Sequence, residues 1–171
     1  KILFSVNSLS AKGGGAEKIL SIVSNELSRY DKYEISVITF DKPNQKLFYG
    51  FSSNVNIYKL GKHEFFSSKI LKNINRTFVL MIYLLKLKPN VSFGFMHSNY
   101  INLSIASLLS NSKIIACEHI VPEHYKNRTW EYMLIKISSK IFHKIAVVSN
   151  QVKRLFPKDL QKKMIVLNNV V

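Results

Sequence analysis

A glycine-rich segment between an apolar stretch and a helical pattern could bind an anion. Glycines occupy positions 13–15 and are followed directly by Ala16 and Glu17. Glycines let the backbone approach a ligand closely, and a following helix offers free N–H groups and the positive end of its dipole. The segment lacks the third glycine of a dinucleotide fingerprint and the Gly-Lys-Ser/Thr of a Walker loop, and Asp41 is its only candidate ribose acid. It predicts either a contact with an anion of another kind or a simple strand-to-helix turn.

A second group that could do chemistry is Cys117-Glu118-His119, at the end of a predicted strand. A histidine titrates near neutrality, so His119 could donate a hydrogen bond to phosphate or sugar, or relay a proton. It could equally be a hydrogen-bonded structural histidine. The loop at 122–126 is polar and aromatic, which is typical of loops that contact a substrate. The spacings among Glu118, His119, Glu123 and His124 match no helical metal-ligand pattern, so we predict no metal.

Strands and helices must position these groups. The hydrophobic pattern predicts that strands and helices alternate along the chain. Continuously apolar segments predict strands that are buried on both faces of a parallel sheet. They cover residues 1–6, 33–40, 55–60, 91–96, 113–118, 144–148 and 163–167. Residues 41–54 predict a loop. The fold class is therefore α/β, a Rossmann-like, doubly wound and mostly parallel sheet with helices on both faces.

Between the strands the apolar residues recur at helical spacing. One stripe is Ala16, Ile19, Leu20, Val23 and Leu27, and residues 100–109 predict a buried helix. Two further stripes are Ile70, Ile74, Phe78, Met81, Ile82 and Leu85, and then Trp130, Met133, Leu134, Ile137 and Ile141.

The helix predicted at 68–88 is also basic. Lys69, Lys72 and Arg76 lie off its apolar stripe. A basic amphipathic helix can rest on an anionic membrane surface, which makes these three residues candidate membrane contacts. Alternatively, the stripe simply packs on the sheet.

Length and charge limit the classes of protein. The 171 residues, 47% of them hydrophobic, suit one compact domain. The formal net charge is +15, and 11 of these excess charges fall within residues 61–90 and 131–171. Concentrated positive charge indicates an anionic partner, which could be nucleic acid, a phosphorylated ligand or anionic lipid, or else it forms a solvated face.

The sequence also predicts a cytoplasmic location. Its longest apolar run, residues 78–85, is far shorter than the roughly 20 residues that a spanning helix needs. Residues 1–6 lack the features of a signal peptide. The single cysteine, Cys117, cannot form an internal disulfide, which suits a reducing compartment.

Taken together, these residues resemble the family-4 retaining glycosyltransferases of GT-B architecture, as found in bacterial surface-polysaccharide assembly. The resemblance runs over nearly the whole chain. It is carried by the turn Gly14-Gly15-Ala16-Glu17, the pair Glu118-His119, the strand end Val147-Val148-Ser149, and the closing Leu167-Asn168-Asn169-Val170.

The resemblance implies a division of labour between two Rossmann-like domains that face each other across a cleft. Residues 1–171 would form the N-terminal, acceptor-binding domain, and a C-terminal donor-binding domain would be absent from this chain. Gly14, Gly15 and Glu17 would contact the donor diphosphate and sugar, and His119 would be the catalytic residue beside the transferred sugar. The expected acceptor-binding residues are Glu118, Glu123, His124 and Tyr125.

The resemblance also implies the partners. They are a nucleotide sugar and a polyprenyl-diphosphate-linked saccharide, used in O-antigen, capsule or lipopolysaccharide synthesis on the inner face of the cytoplasmic membrane. No metal and no other cofactor is expected, because helix dipoles and basic side chains of the partner domain would offset the diphosphate charge. By itself this chain is expected to be inactive.

Two other classes remain open on the sequence alone. A stand-alone nucleotide- or nucleic-acid-binding basic domain would explain the charge, although no helix-turn-helix spacing and no aromatic RNA-binding strand is present. We therefore expect no nucleic-acid partner. A non-catalytic carbohydrate-binding or scaffolding protein is the other class.

Overall fold

The computed structural model of this chain describes residues 1–10, 13–61, 68–118, 121–122 and 129–168, except for the side chain of Lys69. It contains one seven-stranded sheet in which all neighbouring strands pair in parallel. The strand order is β3-β2-β1-β4-β5-β6-β7. The strands are β1 Ile2–Val6, β2 Ile35–Thr39, β3 Val55–Lys59, β4 Val91–Phe95, β5 Lys113–Glu118, β6 Lys144–Val147 and β7 Met164–Val166. The predicted Rossmann-like sheet is confirmed.

Helices connect most of the strands. They are α1 Gly15–Leu27, α2 Lys69–Leu87, α3 His97–Ala106, α4 Thr129–Ser138, α5 Asn150–Leu155 and α6 Lys158–Gln161, with a 3₁₀ turn at Ser107–Leu109. Ser149 caps α5, because its Oγ accepts a hydrogen bond from Val152 N at 3.2 Å. Residues 41–54 contain neither helix nor strand, as predicted.

The two faces of the sheet carry different helices. Alternate residues of β1 point to opposite faces, so Leu3 belongs to a core with α2 and α3, whereas Phe4 belongs to a core with Leu20 of α1. Fully burying a leucine of this kind contributes about 1.5–3 kcal/mol to stability. Helices therefore lie on both faces, with α1 on one face and α2, α3 and α4 on the other.

Most of the apolar stripe predicted on α2 faces away from the sheet, so it does not pack there as one of the two interpretations of the sequence expected. Ile70, Ile74 and Phe78 are 71%, 60% and 56% exposed, whereas Leu80 and Leu84 are fully buried against the sheet. This helix has two apolar rows, and the sequence pattern does not reveal which one the sheet covers. The exposed row, which we call the α2 outer row, comprises Ile70, Leu71, Ile74, Phe78, Ile82 and Leu85.

Most of the apolar stripe predicted for α4 is likewise exposed. Trp130, Met133 and Ile137 are exposed, and the helix turns Ile135 toward the core instead. The helix predicted at 100–109 begins earlier, at His97, and only its first part is buried: Ile105, Leu108 and Leu109 are exposed. None of the described helices combines the length and apolarity that a membrane-spanning segment needs.

Candidate functional site

The glycine turn lies where the direction of the chain through the sheet reverses. From β1 the chain moves outward to β2 and β3, and from β4 it moves the opposite way through β5 to β7. In open parallel sheets, ligands bind at the carboxyl ends of the strands beside such a reversal point. The turns after β1 and β4 flank that point, so any site here is built from the residues that follow Val6 and Phe95.

The start of α1 is open to a ligand. Gly14 is the N-cap in extended backbone, and as a glycine it has no side chain to accept a capping hydrogen bond. The first N–H groups of a helix have no acceptor within the helix itself. A Cβ placed on Gly15 would meet no atom within 4 Å, so the described chain leaves open space where a Gly15 side chain would lie. The carboxylate of Glu17 folds back to the position that a Gly14 side chain would occupy.

Gly13 is a glycine for a different reason. A Cβ there would collide with the ring of Phe48 and would lie 2.6 Å from the Tyr49 hydroxyl. The Phe48 N–H donates to the Leu9 carbonyl at 2.8 Å, which ties this part of the 41–54 loop to the segment after β1. The 41–54 loop therefore packs beside the glycine turn. The sequence did not predict this contact.

The segment after β1 is held in place by Asp41. This carboxylate is fully buried and accepts hydrogen bonds from Ser8 Oγ, Ser10 Oγ and Leu9 N, each at 2.6 Å. It also accepts from Thr39 Oγ1 at 2.7 Å. Burial by itself would raise the pKa of Asp41, but these four donors outweigh it, so the pKa lies below 3.8.

Asp41 is therefore not available as a ribose-binding acid. Both of its carboxylate oxygens are used by the chain itself, which fixes the backbone that leads into the glycine turn. Sequence reasoning missed this anchoring role. The sequence did contain a signal for this role: two serines, Ser8 and Ser10, follow the first strand, and a single aspartate follows the next strand.

The turn after β4 is strained. Met96 has φ 66° and ψ 147°, a conformation that non-glycine residues rarely adopt. It is held by a hydrogen bond from its N–H to the Cys117 carbonyl at 3.1 Å. Gly94 permits the close approach of α3, since a Cβ there would lie 2.7 Å from the Cα of Tyr100. This turn places His97 and Ser98 at the carboxyl edge of the sheet.

A cleft of about 700 Å³ opens beside this turn, between α2, α3 and α4. Asn7 and Ser98 lie in its wall, joined by a hydrogen bond from Asn7 Nδ2 to Ser98 Oγ at 2.6 Å. Because Asn7 follows β1, this hydrogen bond links the cleft to the segment that leads to the glycine turn. The other lining residues are Ile70, Lys72, Asn73, Arg76, His97, Ile101, Asn102, Trp130, Glu131 and Leu134.

The cleft places an imidazole against a carboxylate. His97 Nε2 lies 3.4 Å from Glu131 Oε2, and both side chains are largely shielded from solvent. Neither residue was singled out from the sequence, since a lone His97 and Glu131 far apart in the chain give no pattern. The pair can orient or hydrogen-bond a ligand hydroxyl in the cleft.

Glu118 lies inside the protein. It is 1% exposed and accepts a hydrogen bond from the Tyr100 hydroxyl. Its neighbour Cys117 is also buried, and burial, followed by the charge of Glu118, raises the pKa of that thiol to about 12. Glu118 thus joins the end of β5 to α3, and its contact with the acceptor stays a prediction.

Several predicted site residues fall outside the described part of the chain. They are His119, Glu123, His124 and Tyr125, together with the side chain of Lys69. Lys72 is exposed on α2. Arg76 is half-buried on the inner side of the same helix, with its guanidinium carbon 4.9 Å from the centre of the Phe40 ring. It faces the cleft, so its placement does not fit the predicted membrane contact.

No protein-family model matches this sequence, and none of the curated proteins matches it either. Solved structures do match. Sucrose-phosphate synthase from Thermosynechococcus elongatus superposes with a TM-score of 0.79 at 11% identity, over 98% of this chain and 47% of that one. The lipopolysaccharide outer core galactosyltransferase WaaB, in its apo form, gives a TM-score of 0.74 at 12% identity, over 99% of this chain and 46% of that one.

The Anabaena protein Alr3699/HepE, in complex with UDP and glucose, gives a TM-score of 0.67 at 16% identity, over 100% of this chain and 45% of that one. UDP-N-acetylglucosamine 2-epimerases match over a similar span, one of them, from Rickettsia bellii, with a TM-score of 0.68. This chain spans about half the length of the structures it matches. Its fold is therefore that of one Rossmann-like half of the two-domain GT-B architecture.

Proposed function

We propose that this chain is the N-terminal, acceptor-side half of a glycosyltransferase that moves a sugar from a nucleotide-sugar donor to a saccharide acceptor. One observation carries the proposal: the start of α1 is unobstructed at Gly15, at the reversal point of a fold shared with sugar-transferring enzymes. A diphosphate is the ligand chemistry that suits uncapped N–H groups and the positive end of a helix dipole.

Each proposed site residue has a role in this reaction. Gly14 and Gly15 lie against the donor diphosphate, and Glu17 swings away from Gly14 to meet the sugar or the nucleotide. His119 follows β5 and acts beside the transferred sugar, while Glu123, His124 and Tyr125 contact the acceptor. For Glu118 we propose a positioning role at the end of β5, supported by its burial and its hydrogen bond with Tyr100.

The acceptor that we propose is a saccharide linked to polyprenyl diphosphate, as used in surface-polysaccharide synthesis of the O-antigen, capsule or lipopolysaccharide type. Transfer proceeds with retention, on the inner face of the cytoplasmic membrane. The exposed α2 outer row, flanked by Lys72 and Lys86, supports a membrane contact, because it offers apolar side chains beside basic ones.

The donor pocket belongs to a C-terminal domain outside this chain. By itself the chain binds nucleotide sugars weakly and transfers nothing. No metal takes part, since dipoles and basic groups stabilise the leaving diphosphate. Transfer by the whole protein should accordingly persist in excess chelator.

The test is transfer by the full-length protein, with a panel of nucleotide sugars and a polyprenyl-diphosphate-sugar acceptor. Product stereochemistry reports retention or inversion. His119→Ala should lower kcat by roughly 100-fold or more, because it removes a group that contacts the reacting sugar. His124→Ala should act mainly on the acceptor KM. Equal, mild losses in both variants would contradict the assignment of His119.

A second candidate comes from the likeness to UDP-sugar epimerases, which share this half of the fold. An epimerase would convert one nucleotide sugar into another with no acceptor present, whereas a transferase releases the nucleotide. Chromatography of UDP-N-acetylglucosamine incubated with the full-length protein separates the two. A stand-alone basic nucleotide- or nucleic-acid-binding domain would give neither product.

A further inference from the structure

Arg76 is a cation with no anionic partner among the residues that the structure describes. Its guanidinium lies over the ring of Phe40, which is itself buried, and no carboxylate of the described chain lies within ion-pair distance. Burial lowers its pKa, with no neighbouring negative charge to offset that effect. A half-buried arginine normally pairs with an acid, because removing a charge from water is costly. Among the described residues no acid supplies the compensating charge, and a ligand anion is the group that we expect to supply it.

The wall around Arg76 is rich in hydrogen-bonding groups. Asn7, Asn73, Ser98 and Asn102 line the same cleft. Asn7 Oδ1 is buried and accepts no hydrogen bond within the described residues. The one acid in the wall, Glu131, is paired with His97. Around Arg76 the cleft therefore offers a guanidinium, which suits phosphate oxygens, and the amide oxygen of Asn7, which can accept a hydrogen bond from a sugar hydroxyl.

An aromatic side chain stands at the rim of the cleft. Trp130 is 68% exposed at the first turn of α4, an unusual position for the largest aromatic residue. The indole face can cover the apolar C–H face of a sugar ring and so remove it from water.

The opposite rim is apolar. Ile70 belongs both to the cleft and to the α2 outer row, which continues along the helix through Ile74 and Phe78. A ligand anchored at Arg76 could therefore extend a hydrocarbon chain along α2 without leaving apolar surface.

We propose that the cleft between α2, α3 and α4 binds the diphosphate of a lipid-linked saccharide, with Arg76 on the diphosphate, Trp130 on the adjoining sugar and the α2 outer row along the lipid. This inference rests on the proposed function and extends it, because it assigns the acceptor to a specific site. None of these three contacts involves the residues expected from the sequence to bind the acceptor.

The test uses the one tryptophan of this chain as a reporter inside the cleft. Inorganic pyrophosphate, UDP and farnesyl diphosphate are titrated separately while Trp130 fluorescence is recorded, with farnesol as the phosphate-free probe. We expect saturable responses to pyrophosphate and farnesyl diphosphate, with farnesyl diphosphate the tighter ligand. Arg76→Gln should raise the Kd of both by about tenfold or more, since it removes a charge-assisted contact.

The controls separate the loss of the Arg76 contact from a general loss of charge and from unfolding. Arg154→Gln removes the same charge from an exposed position on α5 and should leave the Kd unchanged. Arg76→Lys keeps the charge without the two-pronged guanidinium and should fall between wild type and Arg76→Gln. Circular dichroism melting checks that each variant is folded. Equal binding by wild type and Arg76→Gln would overturn the proposal, and so would tighter binding of UDP than of farnesyl diphosphate.

Failure of this inference is distinguishable from failure of the proposed function. If the full-length protein transfers sugar and Arg76→Gln leaves the acceptor KM unchanged, the site is wrong and the transferase function stands. If the full-length protein transfers no sugar while Arg76-dependent binding of farnesyl diphosphate persists, the function is wrong and the site stands.

Discussion

At the scale of single residues, Asp41 shapes the candidate site without facing it. Its four hydrogen bonds join the end of β2 to the segment between β1 and α1. A buried carboxylate is stable only when its oxygens are satisfied, so the segment and the aspartate fix each other. The residue that looked like a ligand-binding acid in the sequence is thus a positioning residue for the glycine turn.

We predict that Asp41→Asn lowers the free energy of unfolding by about 2–3 kcal/mol, because an amide turns a donor toward groups that are themselves donors. Urea unfolding followed by circular dichroism measures the loss. Asp31→Asn is the matched control, since Asp31 is exposed and should change stability little. Equal small effects of the two substitutions would contradict the anchoring role.

The same substitution should change the acid sensitivity of the protein. The folded pKa of Asp41 lies below the ordinary value of 3.8, so its ionised form is favoured in the folded state. Its contribution to stability is therefore present above about pH 4 and is lost as the pH falls through the lowered folded pKa. Unfolding curves between pH 7 and pH 2 should lose part of their acid dependence in Asp41→Asn.

At the scale of elements, most of the architecture was predictable. The strands matched to within two residues, because continuous apolar runs of β-branched residues are typical of parallel strands such as β2 and β5. The orientation of α2 was not predictable. Both of its rows are apolar at helical spacing, and only tertiary packing decides that Leu80 and Leu84 are covered while Ile74 and Phe78 are not.

The candidate site was predictable only where a local pattern existed. The glycine turn is contiguous in sequence and lies where it was expected, at the start of α1. The cleft is assembled from α2, α3 and α4, so Arg76, His97 and Trp130 come together only through the fold. No spacing rule joins residues 54 positions apart, and the strain at Met96, which turns His97 toward the cleft, leaves no trace in composition.

A matched pair of substitutions separates the two roles of glycine in this turn. In the full-length protein, Gly15→Val should leave the melting temperature unchanged but lower kcat/KM by about tenfold or more, because a side chain in the open space blocks the diphosphate. Gly13→Val should instead destabilise the fold by about 1–3 kcal/mol, since it overlaps Phe48. Unchanged turnover in Gly15→Val would make the glycines structural only.

At the scale of the whole molecule, this protein combines a positive net charge with exposed apolar side chains. The chain carries a formal net charge of +15, and the outer sides of α2 and α4 expose Phe78 and Trp130 among other apolar residues. Some lysines are used internally: Lys163 Nζ donates to the carbonyl oxygens of Ser139 and Phe142 at 2.7 and 3.0 Å. The remaining exposed lysines are each worth about 1 kcal/mol beside an anionic bilayer.

We predict that this chain co-sediments with anionic vesicles at low salt, ignores neutral ones, and is released at about 0.5 M salt as the charges are screened. The double variant Phe78→Glu, Ile82→Glu should weaken this binding without loss of stability, because both side chains are exposed. Tyr30→Glu, also at an exposed aromatic, is the control and should bind normally. Absence of binding to anionic vesicles at low salt would make the charge a solvated face.

β1 lies inside the sheet, with a partner strand on each side, and this affects how the chain folds. β1 pairs with β2 on one side and with β4 on the other, so Ile2 is aligned with both Ile35 and Val91. During synthesis β1 leaves the ribosome long before β4 exists, and its second edge stays unpaired until then. Parallel pairings over such sequence separations form slowly and leave strand edges exposed to association meanwhile. One edge of β1 can pair as soon as β2 is made, whereas the other edge waits for β4, and a chaperone that shields this second edge is expected to raise the folding yield.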